Sequence, residues 1–250
     1  MTRAARYRLA VVLGAVLLLE LLCRVGVIDH LTMPPPSQIL RDLWAMLRAG
    51  TLYPAMGKTL LNVTIAFTSA IAVGVAMGVA LHGWHALRQG LDPLFATYYA
   101  VPVFAFYPLL IILFGLGDTP QILIGFMLAV VAVIMNTLNG LDRVSRVLLK
   151  TARVHRLGPL ATALKITLPC AAPSVLTGVK LAVAYAFIGI IGAEFIMSRT
   201  GIGYEISFAY NNFDNATMYP LILLILVVST AVNTALSHWE KVLMRRRGQG

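Results

Sequence analysis

Long apolar stretches alternate with short polar ones along the chain. Six of them approach the roughly 20 residues a helix needs to cross a bilayer core: residues 9–27, 60–81, 93–116, 121–138, 172–197 and 218–238. Pro102 and Pro108 interrupt the third, so a kinked helix is expected there. The pattern predicts an all-α, polytopic membrane bundle of about six transmembrane helices, a single transmembrane domain over residues 1–250.

Two segments between the spans carry patterns of their own. After the first span, "MPPPSQIL" begins with prolines that cannot continue a helix. Ser37 is then expected to cap a helix at about residues 37–48, with Ile39, Leu40, Leu43, Trp44 and Leu47 at helical spacing. Trp44 between Arg41 and Arg48 suits a helix lying in the membrane interface, and a linker helix packed on the bundle fits equally well. The second segment covers about residues 139–168. From 141 to 155 its pattern is helical, with Arg143, Arg146, Lys150 and Arg153 on one face and Leu141, Val144, Leu148 and His155 on another. Gly158 is expected to take a left-handed cap before Pro159, a second short helix to cover 160–167, and Pro169 to open the fifth span.

Composition narrows the class. The chain is 59% hydrophobic and 12% charged, with mean hydropathy +0.82, too apolar for a soluble globule. Its formal net charge of +10 would suit nucleic acid, but the cations sit between apolar runs rather than among aromatics. They follow membrane topology instead. Most lie before the first span, between the second and third, between the fourth and fifth, and after the sixth. The positive-inside rule then puts both termini in the cytoplasm. The first span resembles a signal peptide, yet Glu20, Cys23 and Arg24 stand where a small-x-small site belongs, so it reads as uncleaved. Cys23 and Cys170 stand apart, with no metal-ligand spacing.

Candidate chemistry is sparse. "MGKTLL" around Lys58 imitates the end of a phosphate-binding loop, but Leu52 occupies the position that needs glycine. No nucleotide site is expected in this chain, so any ATP and Mg²⁺ would belong to another subunit. Gly74 and Gly78 form a GxxxG that would let a second helix approach closely. Glu20, Lys180 and Glu194 are ionisable groups at membrane depth, where charge is expensive. Glu194, with Asn136 and Thr137, is a candidate wall of a translocation pathway, and a carboxyl satisfied by its helix neighbours is the alternative. Glu20 reads as the latter, and Lys180 as snorkelling to the cytoplasm. Asn139 closes the fourth span with Asn136 and Thr137. No Asp/Glu/His relay threads several spans, which argues against a proton-driven pump, and no hydrolytic constellation is present.

The loop and its flanks resemble the inner-membrane permease subunits of bacterial ABC importers, in the nitrate/sulfonate/taurine-type group. There the loop carries Glu-Ala-Ala, three residues, Gly, nine residues, then Ile-x-Leu-Pro. Here Lys150-Thr151-Ala152 takes the triplet, Arg156 takes the Gly, and Ile166, Leu168 and Pro169 match the end. "PPPSQIL", "LDPLFATYYAVP", "PLLIILFGLGD", Asn136-Thr137, "GAEF" and "GIGY" extend the resemblance along nearly the whole chain.

The resemblance implies a type I importer permease, working as a homodimer or heterodimer, not itself an enzyme. Its loop, including Arg153 and Gly158, would couple to cytoplasmic ATPase subunits, which hold the ATP. A periplasmic or lipid-anchored solute-binding protein would dock on the outer face, where Trp44, Asp118, Tyr204 and Tyr210 are the candidates. Two departures stand out. Lys150 reverses the charge of the family Glu and can only donate hydrogen bonds, and Arg156 replaces a Gly. An ion-coupled secondary transporter, or a membrane scaffold, is the alternative class. The transporter would show internal repeats, and none is found.

Overall fold

The computed structural model describes residues 3–29 and 32–246. The helices run in chain order: α1 (Arg3–Arg24), α2 (Pro36–Ala49), α3 (Tyr53–Gly83), α4 (His85–Thr97), α5 (Tyr107–Phe114), α6 (Asp118–Asp142), α7 (Arg146–Val154), α8 (Pro159–Thr162), α9 (Leu168–Met197), α10 (Ile202–Asn211) and α11 (Asn215–Arg246). A π-helical segment, Ala163–Thr167, joins α8 to α9. Among the described residues four helices are long and apolar enough to cross a membrane: Tyr53–Gly83, Asp118–Asp142, Ala163–Met197 and Asn215–Val242.

A fifth span exists if His85–Ala100 and Val103–Phe114 count together, but they meet at 90°. The expected kink of the third span is therefore a sharp break. Pro102, in an extended conformation, separates its two halves, since it cannot donate to the helix before it. The count of six is not reached. α1 has the length, at 22 residues, but Arg3, Arg6, Arg8, Glu20 and Arg24 make it the most charged of the long apolar helices. Arg247, one of the cations expected at the cytoplasmic C-terminus, lies outside the described residues.

The centre is a trio of α3, α6 and α9. Val63, Ala66, Ala70, Val133, Ala186 and Ile190 belong to its core. The helices approach closely because small residues face each other. A Cβ on Gly189 would lie 2.6 Å from the Gly125 Cα, so α9 and α6 nearly touch backbone to backbone. The GxxxG pair is a contact face of α3, as its spacing allows. A Cβ on Gly74 would lie 2.6 Å from Val133 Cβ, and one on Gly78 2.7 Å from Thr137 Cβ.

α2, expected at 37–48, runs from Pro36 and packs on α10 and α11 through Leu43, beside Leu52, Ile206, Leu221 and Leu224. Its outer side leaves Trp44 58% exposed, with the Arg48 guanidinium 4.9 Å above the ring. Ser37 does not cap it. The helix starts one residue earlier, at Pro36, and Ser37 turns to Glu20 instead.

Candidate functional site

The end of the trio that carries α7 holds the polar loop. α6 stops at Asp142, and Ser145 caps α7 by accepting from the Val147 amide at 3.3 Å. The helical pattern read across 141–155 is thus two helices with a capped turn between them. The cations Arg146, Lys150 and Arg153 all face outward, while Val144 and Ala152 are buried against the bundle. Leu148 and His155, expected on the apolar face, are exposed, and Leu149 lies closer in.

α7 ends in a paired hydrogen-bond motif. The Arg156 amide donates to Arg153 O at 2.9 Å and the Leu157 amide to Ala152 O at 3.0 Å. Such an ending requires a left-handed residue between them. That residue is Arg156, at φ +50°, and not Gly158 as the sequence pattern predicts. Arg156 stands where the family pattern places glycine, so the geometry explains that glycine. A Cβ in the left-handed region costs roughly 1–2 kcal/mol.

The second helix of the loop is not separate from the fifth span. α8, the π segment and α9 run on continuously from Pro159 to Met197. Pro169 stands inside this rod rather than opening a span. A proline ring crowds the carbonyl four residues back, and the wider π turn just before Pro169 makes room there. Ile166 and Leu168 are half-buried and Lys165 is exposed. Beneath α7, Val79, His82, Leu149, Ala152, Arg153 and Thr167 line a cavity of about 530 Å³.

Beside it, three helix ends are tied by charge. Arg88 of α4 donates to both Asp142 carboxylate oxygens, at 2.7 and 2.6 Å. His82 Nδ1, at the end of α3, lies 3.3 Å from the same carboxylate. None of this was visible in spacing, because the partners are 54 residues apart. Lys180 does not snorkel unpartnered: it pairs with Glu240 of α11.

At the opposite end the polar groups turn inward. Glu194 is fully buried, and Thr59 Oγ1 donates to its Oε2 at 2.8 Å. The Gly203 amide donates to Oε2 at 3.0 Å, and the Ile202 amide to Thr59 Oγ1 at 2.8 Å. Gly201, at φ +101°, lies so close to the carboxylate that an added Cβ would collide with it. Asn62 bridges to Gln121 Oε1 at 3.3 Å, Gln121 donates to Ser198 Oγ at 3.0 Å, and Lys58 pairs with Asp118. Sequence reasoning missed Thr59 and Gln121, which look like ordinary span residues.

The expected pathway residues are thus enclosed. Glu194 and Thr137 are both 0% exposed, and Asn136 donates to Ala132 O of its own helix at 2.8 Å. Glu194 and Thr137 each fill a contact between helices. The outer-face candidates are more accessible. Tyr210 is 59% exposed and lies beside Phe195, Tyr204 is half-buried beside Phe208, and Trp44 projects from α2. Phe213 joins them unforeseen: it turns the chain between α10 and α11 at φ +55° and is 90% exposed. Glu20 reaches across from α1 to accept from the Ser37 amide and hydroxyl, at 2.9 and 2.7 Å.

The chain is thus a polytopic helical bundle with a basic, amphipathic loop between two of its central spans. The binding-protein-dependent transport system inner membrane component family matches residues 70–249, and the chain belongs to that family. The taurine transport system permease protein of Escherichia coli (strain K12) is 28% identical over 187 residues, 73% of this chain and 68% of that one. The nitrate import permease protein of Leptolyngbya laminosa is 28% identical over 207 residues, 79% and 74% of the two chains. The bicarbonate transport system permease protein of Synechocystis is 27% identical over 248 residues, 93% and 86%. The protein is therefore the multi-pass permease subunit of an ATP-driven importer for a small solute, a family that works with ATPase and solute-binding partners.

Proposed function

We propose that α7 and α8 form the coupling element through which a separate ATPase, holding ATP and Mg²⁺, drives this permease. The observation that carries this is the exposed cationic face of α7, closed by a left-handed residue at the family's glycine position. Lys150, Thr151, Arg153 and Arg156 would meet the ATPase, Ala152 seats the helix on the bundle, and Gly158, Ile166, Leu168 and Pro169 join it to α9. With lysine and arginine where the family has glutamate and glycine, the matching groove would be acidic. Both termini face the cytoplasm, α1 serves as the sixth span, and anionic lipid meets the same basic face. A second permease copy completes the pathway. The binding protein docks on the outer face, using Trp44, Asp118, Tyr204 and Tyr210. Taurine, nitrate and bicarbonate in the relatives' names are all small and carry an anionic oxygen group, and a solute of that kind is the reading here.

The test is an ATPase assay on the assembled complex. Lys150→Glu is expected to lower stimulated hydrolysis while both subunits still co-purify, and exchanging residues 150–168 for a Gly/Ser linker to abolish co-purification. An unchanged or higher rate with Lys150→Glu would rule out an acidic groove. Solute flux through the chain alone, with no ATPase present, would rule out the coupling role altogether.

A further inference from the structure

Hydroxyls exposed along the spans mostly satisfy themselves. Thr64 donates to Leu60 O at 2.7 Å, Thr68 to Thr64 O at 2.6 Å and Thr177 to Pro173 O at 3.2 Å. Such side chains tolerate lipid, because nothing is left to bond. α11 differs. Thr230 and Asn233 are exposed in the middle of the 28-residue span Asn215–Val242, and among the described residues neither has a hydrogen-bond partner. Hydrocarbon offers none, and an amide held there unpaired costs several kcal/mol.

With Ser229, Ile225 and Leu226 these two residues form the α11 wall of a groove of about 400 Å³, with Val183 and Phe187 opposite on α9; Ser229 donates to Leu226 O at 3.4 Å. The groove is therefore apolar on its α9 side and mixed on its α11 side, where Thr230 and Asn233 supply unspent polar groups. No acid or base lines it among the described residues. Its α9 side belongs to the rod that continues, through the π segment, into the coupling loop. A rigid tilt of that rod relative to α11 would change the width of this groove.

We infer that the α9–α11 groove is a wall of the aqueous translocation pathway, with Ser229, Thr230 and Asn233 hydrogen-bonding the passing solute. Hydroxyl and amide donors without fixed charge suit a small anion or zwitterion, which they solvate without trapping it. A cation would find no carboxylate there. The inference rests on the permease reading and adds the residues that touch the cargo.

Cysteine accessibility in the full permease–ATPase complex tests it. Cys170 is exposed and is first replaced by serine, whereas Cys23 is buried. Asn233→Cys and, separately, Thr230→Cys are then treated with a membrane-impermeant, anionic methanethiosulfonate, and Thr68→Cys serves as the lipid-facing reference. Thiolate, the reactive form, is scarce in hydrocarbon, so pathway positions should react roughly tenfold faster than the reference or more. Their rates should also change between nucleotide-free and ATP-bound complexes. Rates equal to that of Thr68→Cys at both positions, in a complex that still co-purifies, would overturn this inference alone. Failure of the parent chain to bind any ATPase would overturn the permease reading instead.

Discussion

The two ends of the α3–α6–α9 trio are held by different physics. At the Glu194 end, one buried carboxylate collects the Thr59 hydroxyl and the Gly203 amide, and two glycines allow the backbone to close around it. Thr59, Glu194 and Gly203 are all buried, so the geometry of this clasp is over-determined. At the α7 end the contacts are ion pairs in water, a strained Arg156 and an open cavity. One end is finished by the chain itself. The other keeps its charged groups exposed and its backbone less tightly enclosed.

Substitutions can break this contrast, and the largest effect belongs to the enclosed end. Glu194→Leu leaves a buried hydroxyl and a buried amide unpaired, at about 1–3 kcal/mol each. Gly203→Ala would set a Cβ 2.5 Å from Ile191 O. Both variants should unfold in detergent at clearly lower temperature or denaturant, by about 3 kcal/mol for Glu194→Leu. A loss under about 1 kcal/mol would mean this end is not locked.

Gly74→Ala ranks next. It forces α3 away from Val133 and should cost about 1–3 kcal/mol in the same assay. An unchanged stability would show that the α3–α6 contact adjusts freely.

At the α7 end the sign reverses. Arg156→Gly removes the left-handed strain and should stabilise the loop by about 1 kcal/mol. Hydrogen exchange at the Leu157 amide, which closes on Ala152, should slow by about fivefold. Faster exchange would show that the arginine side chain anchors the turn. Asp142→Asn weakens the link to Arg88 and His82, but these groups are partly exposed, so the stability change should stay below about 1 kcal/mol. A larger loss would move this cluster into the enclosed class.

The membrane class, the central spans and the GxxxG contact were legible because each depends on composition or short spacing. So was the existence of a helical, basic loop. Its details were not. Sequence pattern favours Gly158 for the left-handed turn, because glycine adopts that conformation freely. The hydrogen bonds that end α7 instead select Arg156, whose strain the surrounding contacts tolerate. Pro169 reads as a helix start, yet a π turn lets the helix pass through it. Glu194 reads as a pathway group because buried charge is rare. Only the fold shows Thr59 and Gly203, 135 and 9 residues away in sequence, spending its hydrogen bonds. The polar face of α11 is periodic enough to be seen in the sequence. Its significance depends on which hydroxyls elsewhere are already satisfied.

The unbroken rod from the loop into the fifth span has a mechanical consequence. Ala163–Met197 contains 35 residues, and at about 1.5 Å of rise each the rod is roughly 50 Å long. A tilt of about 5° imposed at the loop would swing a free far end by roughly 4 Å, close to the width of a water molecule and its contacts. The Glu194 clasp fixes that far end to α3. Such a tilt would then either carry α3 along with α9 or bow α9 beside α11. A spin-label pair spanning α9 and α11 would read the amplitude directly as a change in distance between nucleotide states.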